Sequence, residues 1–233
     1  MRQLGLAEDS LAYRLPAVFP PENQLTLRCD YIDTRWAQRA FSIAPLVELI
    51  FTVFSGRPGK YLVFFPSYKY LNDVYEQFVL IHGDIHTVKQ VSGADLVARE
   101  VFLGAFFKHS DHTVGFAIMG GVFGEGVDYA GDALTGAIVI GTGMPQPSEE
   151  QKLIENHYHQ QGLNSFQYAY QFPGFTRVQQ TAGRVIRADT DRGVVVLVDP
   201  RFRRIDYQNL MPAHWQVIGC YNAQRLVQAL AGF

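Results

Sequence analysis

The sequence predicts an α/β fold, a mostly parallel sheet flanked by helices. Three observations predict it. Short, almost continuously apolar runs (YLVFF, VGFAIM, LTGAIVIG and VVVLV) have the length of strands buried on both faces. Longer segments between them carry apolar residues at helical spacing. Strand and helix candidates alternate along the chain, as parallel strands joined by crossover helices require. With 233 residues, 48% of them hydrophobic and 18% charged, the chain is long and apolar enough to bury a sizeable core.

Taken in order, residues 1–24 are loop-like and punctuated by Pro16, Pro20 and Pro21. They are expected to be a connector leading into one domain over 25–233. Residues 25–31 alternate as a strand does. Residues 35–55 read as a helix, with Leu46, Leu49, Ile50 and Val53 at helical spacing and Pro45 near its first turns. Arg57-Pro58-Gly59-Lys60 is a turn into the strand 61–65. It is no phosphate loop: the earlier glycine of that motif is missing, Tyr61 replaces the hydroxyl residue, and a strand follows rather than a helix. Pro66-Ser67-Tyr68 lies at the carboxyl end of that strand, where ligands bind in open α/β sheets, and 70–79 follow as a helix. Ser67 suits either a phosphate contact or a helix cap. Tyr68 suits either stacking on a base or a half-buried place in the fold.

Residues 84–90 form a short strand candidate. Residues 95–109 read as a helix with Leu96, Val97, Val101, Phe102 and Ala105 facing inward. His109, Asp111 and His112, like His157 and His159, lack the spacing and partners of a zinc site and read as solvated, so no metal site is expected. The strand 114–119 ends in GGVFGEGVD (120–128), whose four glycines allow backbone approaches that side chains block. No G-x-G-x-x-G occurs there, which disfavours a dinucleotide fingerprint. Residues 134–141 are another buried strand, stopped by Pro145 and Pro147, and Ser148 caps the helix that follows. Residues 161–174 read as an aromatic-containing loop, 194–198 as a buried strand, 201–215 as basic and irregular, and 221–230 as a closing helix.

The segment 176–188 is predicted to be a helix with two faces. Val178, Ala182, Val185 and Ile186 fall on one; Gln180, Arg184 and Arg187, at i, i+4 and i+7, fall on the other. The polar face then gathers two guanidiniums and an amide, a set suited to phosphate oxygens because arginine is always charged and forked. The same spacing also fits a solvated amphipathic helix. Gly183 costs such a helix ~1 kcal/mol relative to alanine, which suits a position that another group approaches closely.

The string Q-x-x-G-R-x-x-R, followed by a turn and a hydrophobic strand, resembles motif VI of superfamily 2 helicases. Over 179–199 (QQTAGRVIRADTDRGVVVLVD) it resembles specifically the DinG/XPD group of DNA helicases. FFPSY (64–68) resembles motif IV of that group, and 120–128 resembles its motif V, with Gly124 where the group often has tryptophan. Residues 15–23 resemble the stretch that follows the first motor domain. These motifs, in helicase order over essentially the whole chain, imply a RecA-like three-layer α/β/α domain, of P-loop NTPase type but without the P-loop. They imply the second motor domain of an ATP-dependent DNA helicase of repair or replication, expected in the cytoplasm. By the same resemblance, Arg184 and Arg187, with Gln180, are catalytic at a triphosphate held by the first motor domain of the same polypeptide. Gly183, Glu125 and Asp128 are implied near the nucleotide, and Ser67, Tyr68, Gly121 and Phe123 along single-stranded DNA. The implied cofactors are ATP and Mg²⁺, bound mainly by the first domain. An iron–sulfur cluster is implied for the full-length protein only, since the chain lacks its four cysteines.

Composition narrows the alternatives. The chain contains no G-x-x-x-x-G-K-[ST] and no D-E-A-H-like box; 194–199 mimics a Walker B strand, but Pro200 stands where a catalytic glutamate belongs. A formal net charge of −2 gives little general grip on nucleic acid, although Arg177, Arg184, Arg187, Arg192, Arg201, Arg203 and Arg204 crowd one stretch and suggest a local basic surface. Two cysteines, Cys29 and Cys220, are too few for a disulfide framework. No apolar run is expected to reach membrane-spanning length, and no signal peptide is apparent. The rival readings are a non-catalytic nucleic-acid-binding or regulatory module and a nucleotide-dependent metabolic enzyme of Rossmann type.

Overall fold

Strands covered on both faces must be apolar at nearly every position, and the central strands here are, Lys60 at the start of β2 excepted. The computed structural model describes residues 19–108, 111–120 and 134–233. Within them lie Gln24–Cys29 (β1), Lys60–Phe65 (β2), Thr87–Lys89 (β3), Thr113–Ile118 (β4), Gly136–Ile140 (β5), Gly193–Val198 (β6) and Val217–Cys220 (β7). They form one sheet in the order β3-β4-β2-β5-β6-β1-β7, with every pairing parallel. Every residue of β2, β5 and β6 is buried. The register sets Phe116, Val63, Ile138, Val196 and Leu27 in one row across five strands. That row belongs to a single core on one face, while Leu62, Ala137 and Val195, one residue earlier, face the other.

The helices are Arg39–Gly56 (α1), Tyr68–Ile81 (α2), Leu96–Lys108 (α3), Glu149–Gln160 (α4), Phe172–Ala182 (α5), Ile205–Gln208 (α6) and Ala223–Ala231 (α7). Leu46 and Ile50 of α1, Tyr70 and Phe78 of α2, and Leu226 of α7 fill the first core. Phe106 of α3 and Phe175 and Val178 of α5 fill the second, joined by Phe202, Tyr207 and Trp215. The result is the three-layer α/β/α architecture expected from the sequence. Residues 201–215, read as merely basic and irregular, cover the second core through those three aromatics. Ser148 caps α4 as expected, its hydroxyl accepting from the Gln151 N–H at 3.1 Å.

Three expectations change. In α3, Leu96, Val97 and Val101 are 75, 66 and 65% exposed; Phe102 is buried as expected, Ala105 packs partly buried beside it, and Phe106 completes the buried contact. Strand β3 at that edge has only three residues, so a single stripe of α3 has sheet to cover. The expected loop 161–174 is largely helical: a π-helical turn, Gln167–Gln171, runs directly into α5. Its aromatics stack four residues apart (Phe166 on Tyr170) and onto α4 (Tyr158 on Tyr168, 4.5 Å). Pro173 has no N–H to offer the preceding turn, and that turn widens ahead of it. Pro45 lies near the first turns of α1, as expected, at an exposed position. Finally, Trp36–Gly56 is, at 21 residues and mean hydropathy 1.4, long and apolar enough to cross a membrane by length and composition. Its buried stripe (Leu46, Leu49, Ile50, Val53) belongs to the first core, packed against α2 and α7.

Replacing the fully buried Phe106 by alanine is expected to cost about 3–5 kcal/mol. Leu96→Ala, on the outer stripe of the same helix, should stay within about 0.5 kcal/mol. Urea unfolding of the two variants measures the difference; equal losses would mean that α3 is seated the other way round.

Candidate functional site

The carboxyl ends of four adjacent strands converge on a cleft of about 650 Å³. Thr34, Arg35, Trp36 and Arg39 reach it from beyond β1, Pro66, Ser67 and Lys69 from beyond β2, 141–147 from beyond β5, and Arg201 from beyond β6. Of the two roles open to it from sequence, Ser67 takes that of helix cap, accepting from the Tyr70 N–H. It also lines the cleft, where Arg39 Nη1 donates to its oxygen at 3.3 Å. Tyr68 turns the other way. Its hydroxyl accepts from Gln90 Nε2 at 3.1 Å, and Gln90 Oε1 accepts from the Ile118 N–H at 2.8 Å, so the phenol is tied to the end of β4. Burial raises its pKa, with Gln90 opposing. Adjacent in sequence, the two side chains serve different surroundings.

The cations of this cleft are not equivalent. Arg35 pairs with Asp33, Lys69 with Asp73 and Arg201 with Asp199. Arg39 meets no carboxylate among the described residues; it lies against the rings of Trp36 (5.1 Å) and Tyr70 (4.9 Å). The Ser42 hydroxyl donates to the Arg39 carbonyl at 2.8 Å, which leaves the Tyr70 hydroxyl to donate to Ser42 and fixes that ring. Burial pushes the Arg39 guanidinium below its ordinary value; Tyr70 opposes the shift and the nearby Arg201 charge adds to it.

Asp199, at the end of β6, is fully buried. One carboxylate oxygen accepts from the Arg201 N–H (2.8 Å) and Nε (2.7 Å); the other accepts from Arg201 Nη2 (2.8 Å) and from the Thr34 hydroxyl. All four lone-pair positions are thereby used. The strand does resemble a metal-binding strand in sequence, but its carboxylate ties β6 to the loop after β1. Across the cleft, the loop from Gly141 sits directly on α5. A Cβ at Gly174 would meet Met144 N at 2.7 Å and Thr142 O at 2.9 Å, and one at Gly143, where φ is +69°, would meet Gly174 O at 2.4 Å. Arg177, one turn on, donates to the Gly143 carbonyl at 3.4 Å.

Arg184 and Arg187 lie at the opposite end of the sheet. Helix α5 runs back along the second face and stops at Ala182, six residues short of the expected end, with Gly183 as its cap. The last turn tightens: Arg184 N donates to Thr181 O (3.3 Å) and Val185 N to Ala182 O (3.2 Å). The Asp191 carboxylate then accepts from both the Arg187 and Ala188 N–H groups at 2.8 Å. That alternative partner, with the poor helix former Gly183, outcompetes helix continuation. Gln180, Arg184 and Arg187 therefore do not share a helix face. The buried set was read correctly, however: Val178, Ala182, Val185 and Ile186 all enter the second core. Val185 packs where a Cβ on Gly193 would lie 2.2 Å from it, seating the turn at the start of β6, and Asn23 Nδ2 donates to Asp189 O at 2.8 Å. Gly183 is exposed, and a Cβ there would meet only the Gln179 and Gln180 carbonyls of its own helix within 4 Å.

The expected single basic surface is thus divided. Arg201 lines the cleft, Arg177 braces its Gly143 loop, Arg184 and Arg187 lie at the far edge, Arg204 pairs with Asp206, and Arg192 donates to the Phe233 carbonyl. Gly121, Phe123, Glu125, Asp128 and His109 lie outside the described residues. Among the described residues no group of His, Cys, Asp and Glu side chains is placed to hold a metal.

The model of the family described as helicase C-terminal domain matches residues 50–218, most of the chain. The chain belongs to that family. Among curated relatives, a probable ATP-dependent helicase of Methanocaldococcus jannaschii is 31% identical over 62% of this chain and 24% of its own length. A regulator of telomere elongation helicase 1 homolog of Anopheles gambiae is 30% identical over 75% of this chain and 18% of its own. The ATP-dependent DNA helicase CHL1 of Scheffersomyces stipitis is 27% identical over 81% and 24%. This helicase C-terminal domain therefore spans about a quarter or less of the curated relatives it matches. An XPD helicase structure superposes with a TM-score of 0.67 at 16% identity, over 84% of this chain and 35% of its own. The C-terminal domain of the DEAD-box protein Dbp5 gives 0.55 at 14% identity, over 90% and 97%. At those identities the likeness is one of fold: the RecA-like domain 2.

Sequence reasoning missed Trp36, Arg39, Lys69 and Arg201 as cleft residues of this helicase domain. The one available signal was the spacing of Trp36 and Arg39 at i, i+3, where a chain entering a helix brings them to one side.

Asp199→Ala is expected to cost about 3–5 kcal/mol, because it strands a largely buried guanidinium. A chemical-denaturation midpoint unchanged from wild type would contradict that. Asp191→Ala should cost only about 1 kcal/mol, as loss of a capping carboxylate does. Its specific signature is faster hydrogen exchange at the Arg187 and Ala188 amides; unchanged protection there would show that Asp191 does not hold the turn.

Proposed function

We propose that this domain is the C-terminal half of the motor of an ATP-dependent DNA helicase, acting in DNA repair or replication in the cytoplasm and inactive alone. Residues 1–24 connect it to a first motor domain on the same polypeptide, which binds most of the ATP and Mg²⁺. A full-length protein of this kind also has room for an iron–sulfur cluster, to which this chain contributes no ligand. One arrangement carries the reading. The turn holding Arg184 and Arg187 and the basic cleft lined by Ser67 and Arg39 occupy opposite ends of the same sheet, spanned by α5.

In this reading the arginine turn faces the triphosphate across the interdomain gap. Arg184 and Arg187 stabilise charge developing on the transferred phosphoryl group, and Gln180, on the last turn of α5, orients groups beside them. Gly183, without a side chain, lets the nucleotide or its domain approach the backbone, and Glu125 and Asp128 relay between this edge and the DNA. At the other end Ser67 takes a strand phosphate; Tyr68, turned from this cleft toward Gln90, and Gly121 and Phe123 are further proposed contacts to the strand. Closure and opening of the two motor domains then move single-stranded DNA past a fixed surface. A transition-state arginine is worth ~10³–10⁵ in rate in other nucleotide hydrolases.

The test uses the full-length polypeptide. Arg187→Ala is expected to lower DNA-stimulated ATP hydrolysis about 10³-fold or more while leaving affinity for single-stranded DNA nearly intact. The 233-residue chain alone should turn over no ATP above background. Substantial hydrolysis by that chain, insensitive to Arg187→Ala, overturns the proposal.

A further inference from the structure

The cleft at the carboxyl edge contains one feature that the motifs do not account for. Trp36 is 75% exposed at its mouth, although an indole ordinarily gains from burial. Its ring is held by the Arg39 guanidinium at 5.1 Å, and Arg39 is held in turn by the Tyr70 ring, the Ser67 hydroxyl and the Thr34 carbonyl. The platform is therefore fixed before any ligand arrives. Arg39 is the cation of this cleft that meets no carboxylate among the described residues, and burial together with the Arg201 charge disfavours its protonated form. An anion beside it would relieve that cost. Ser67, 3.3 Å from Arg39 Nη1, caps the 14-residue α2, so the positive end of that helix dipole opens on the same spot. An anion-seeking arginine flush with an exposed, rigid indole is the combination that single-stranded nucleic acids require: charge for the backbone, a flat face for the base.

Resting on the reading of this cleft as the single-strand path, we propose that Trp36 and Arg39 form a nucleotide subsite of it. Arg39 and Ser67 hold one backbone phosphate, and the adjoining base stacks on the open face of Trp36. The contact is independent of base identity, since every base offers a π-face. Lys69 and Arg201, already paired, add field rather than direct contacts.

The chain contains two tryptophans, Trp36 exposed and Trp215 only 9% exposed, so fluorescence quenching by a short oligo(dT) reads Trp36. Quenching is expected in wild type and in Trp215→Phe. Trp36→Ala should weaken oligo(dT) binding about 5- to 150-fold, the range of a single stacked base, and Trp36→Phe should recover most of it. An abasic oligomer, equal in charge, should bind Trp36→Ala as well as wild type but bind Arg39→Ala more weakly. Photo-cross-linking with iodouracil-substituted oligo(dT) should mark Trp36. If wild type binds oligo(dT) but Trp36→Ala binds it equally and the cross-link maps elsewhere, the subsite is wrong and the single-strand path survives. If wild type binds neither oligomer at low salt, the path itself fails and the subsite with it. Circular dichroism confirms that each variant is folded.

Discussion

Helix α5 is fixed at both of its ends by contacts that leave no room for another atom. At its start Gly174 lies against the backbone of the loop after β5, and just beyond its end Val185 fills the space over Gly193. Between these points Phe175, Val178 and Ala182 are buried in the second core. A rod pinned in this way cannot slide along the sheet without opening a cavity at one end and a clash at the other. It therefore holds the cleft and the arginine turn in a constant relation, although they stand at opposite edges of the sheet. For a domain proposed to couple events at two edges, rigidity between them is the first physical need. The π-helical turn lies before the pinned span, and the tightened turn closes its far end at Val185.

Charge in this molecule is a matter of placement rather than quantity. A net charge of −2 gives no general attraction to a polyanion, and most cations near the cleft already face a carboxylate. Among the described residues lining the cleft, what remains is the Arg39 guanidinium, flanked by rings and a hydroxyl, beside the N-terminus of α2, which favours anions. Such a site discriminates by geometry. On the proposal above it favours a phosphate beside which a flat group can lie on Trp36, whereas a diffuse basic patch accepts any polyanion.

The parts of this fold that were legible in sequence are those dictated locally. Runs such as YLVFF and VVVLV became β2 and β6 because an all-apolar run of strand length has one place to go, the middle of a covered sheet. Ser148 and Ser67 were readable as caps for the same reason. The misreadings share a different cause, namely partners distant in sequence or a competitor within it. Periodicity extended α5 to 188, but it could not weigh the carboxylate of Asp191 against six more residues of helix. It made the inward face of α3 too wide, adding Leu96, Val97 and Val101 to Phe102 and Ala105, because nothing local reveals that β3 is a three-residue edge. The motif resemblance set Ser67 and Tyr68 on one path, and could not reveal that Gln90, twenty-two residues on, ties the phenol to the end of β4. The cleft cations were invisible as a group, since Arg39, Lys69 and Arg201 meet only when β1, β2 and β6 are laid side by side.

Asp199 shows how one strand end can be turned from chemistry to structure. An acidic residue at the carboxyl tip of a buried strand is well placed to hold a metal ion, provided its oxygens keep lone pairs for it. Here Thr34 and three donors of Arg201 occupy all of them, and the proline that follows starts a 3₁₀ turn, Pro200–Arg203, which brings the Arg201 donors round to that carboxylate. Freeing the carboxylate for a cation would mean breaking a buried ion pair and detaching the loop that presents Trp36 and Arg39. The side chains that build the cleft are thus the same ones that disarm the strand. That economy suits a domain whose proposed role is to offer arginines to a nucleotide and a surface to a strand, with the metal held across the interdomain gap.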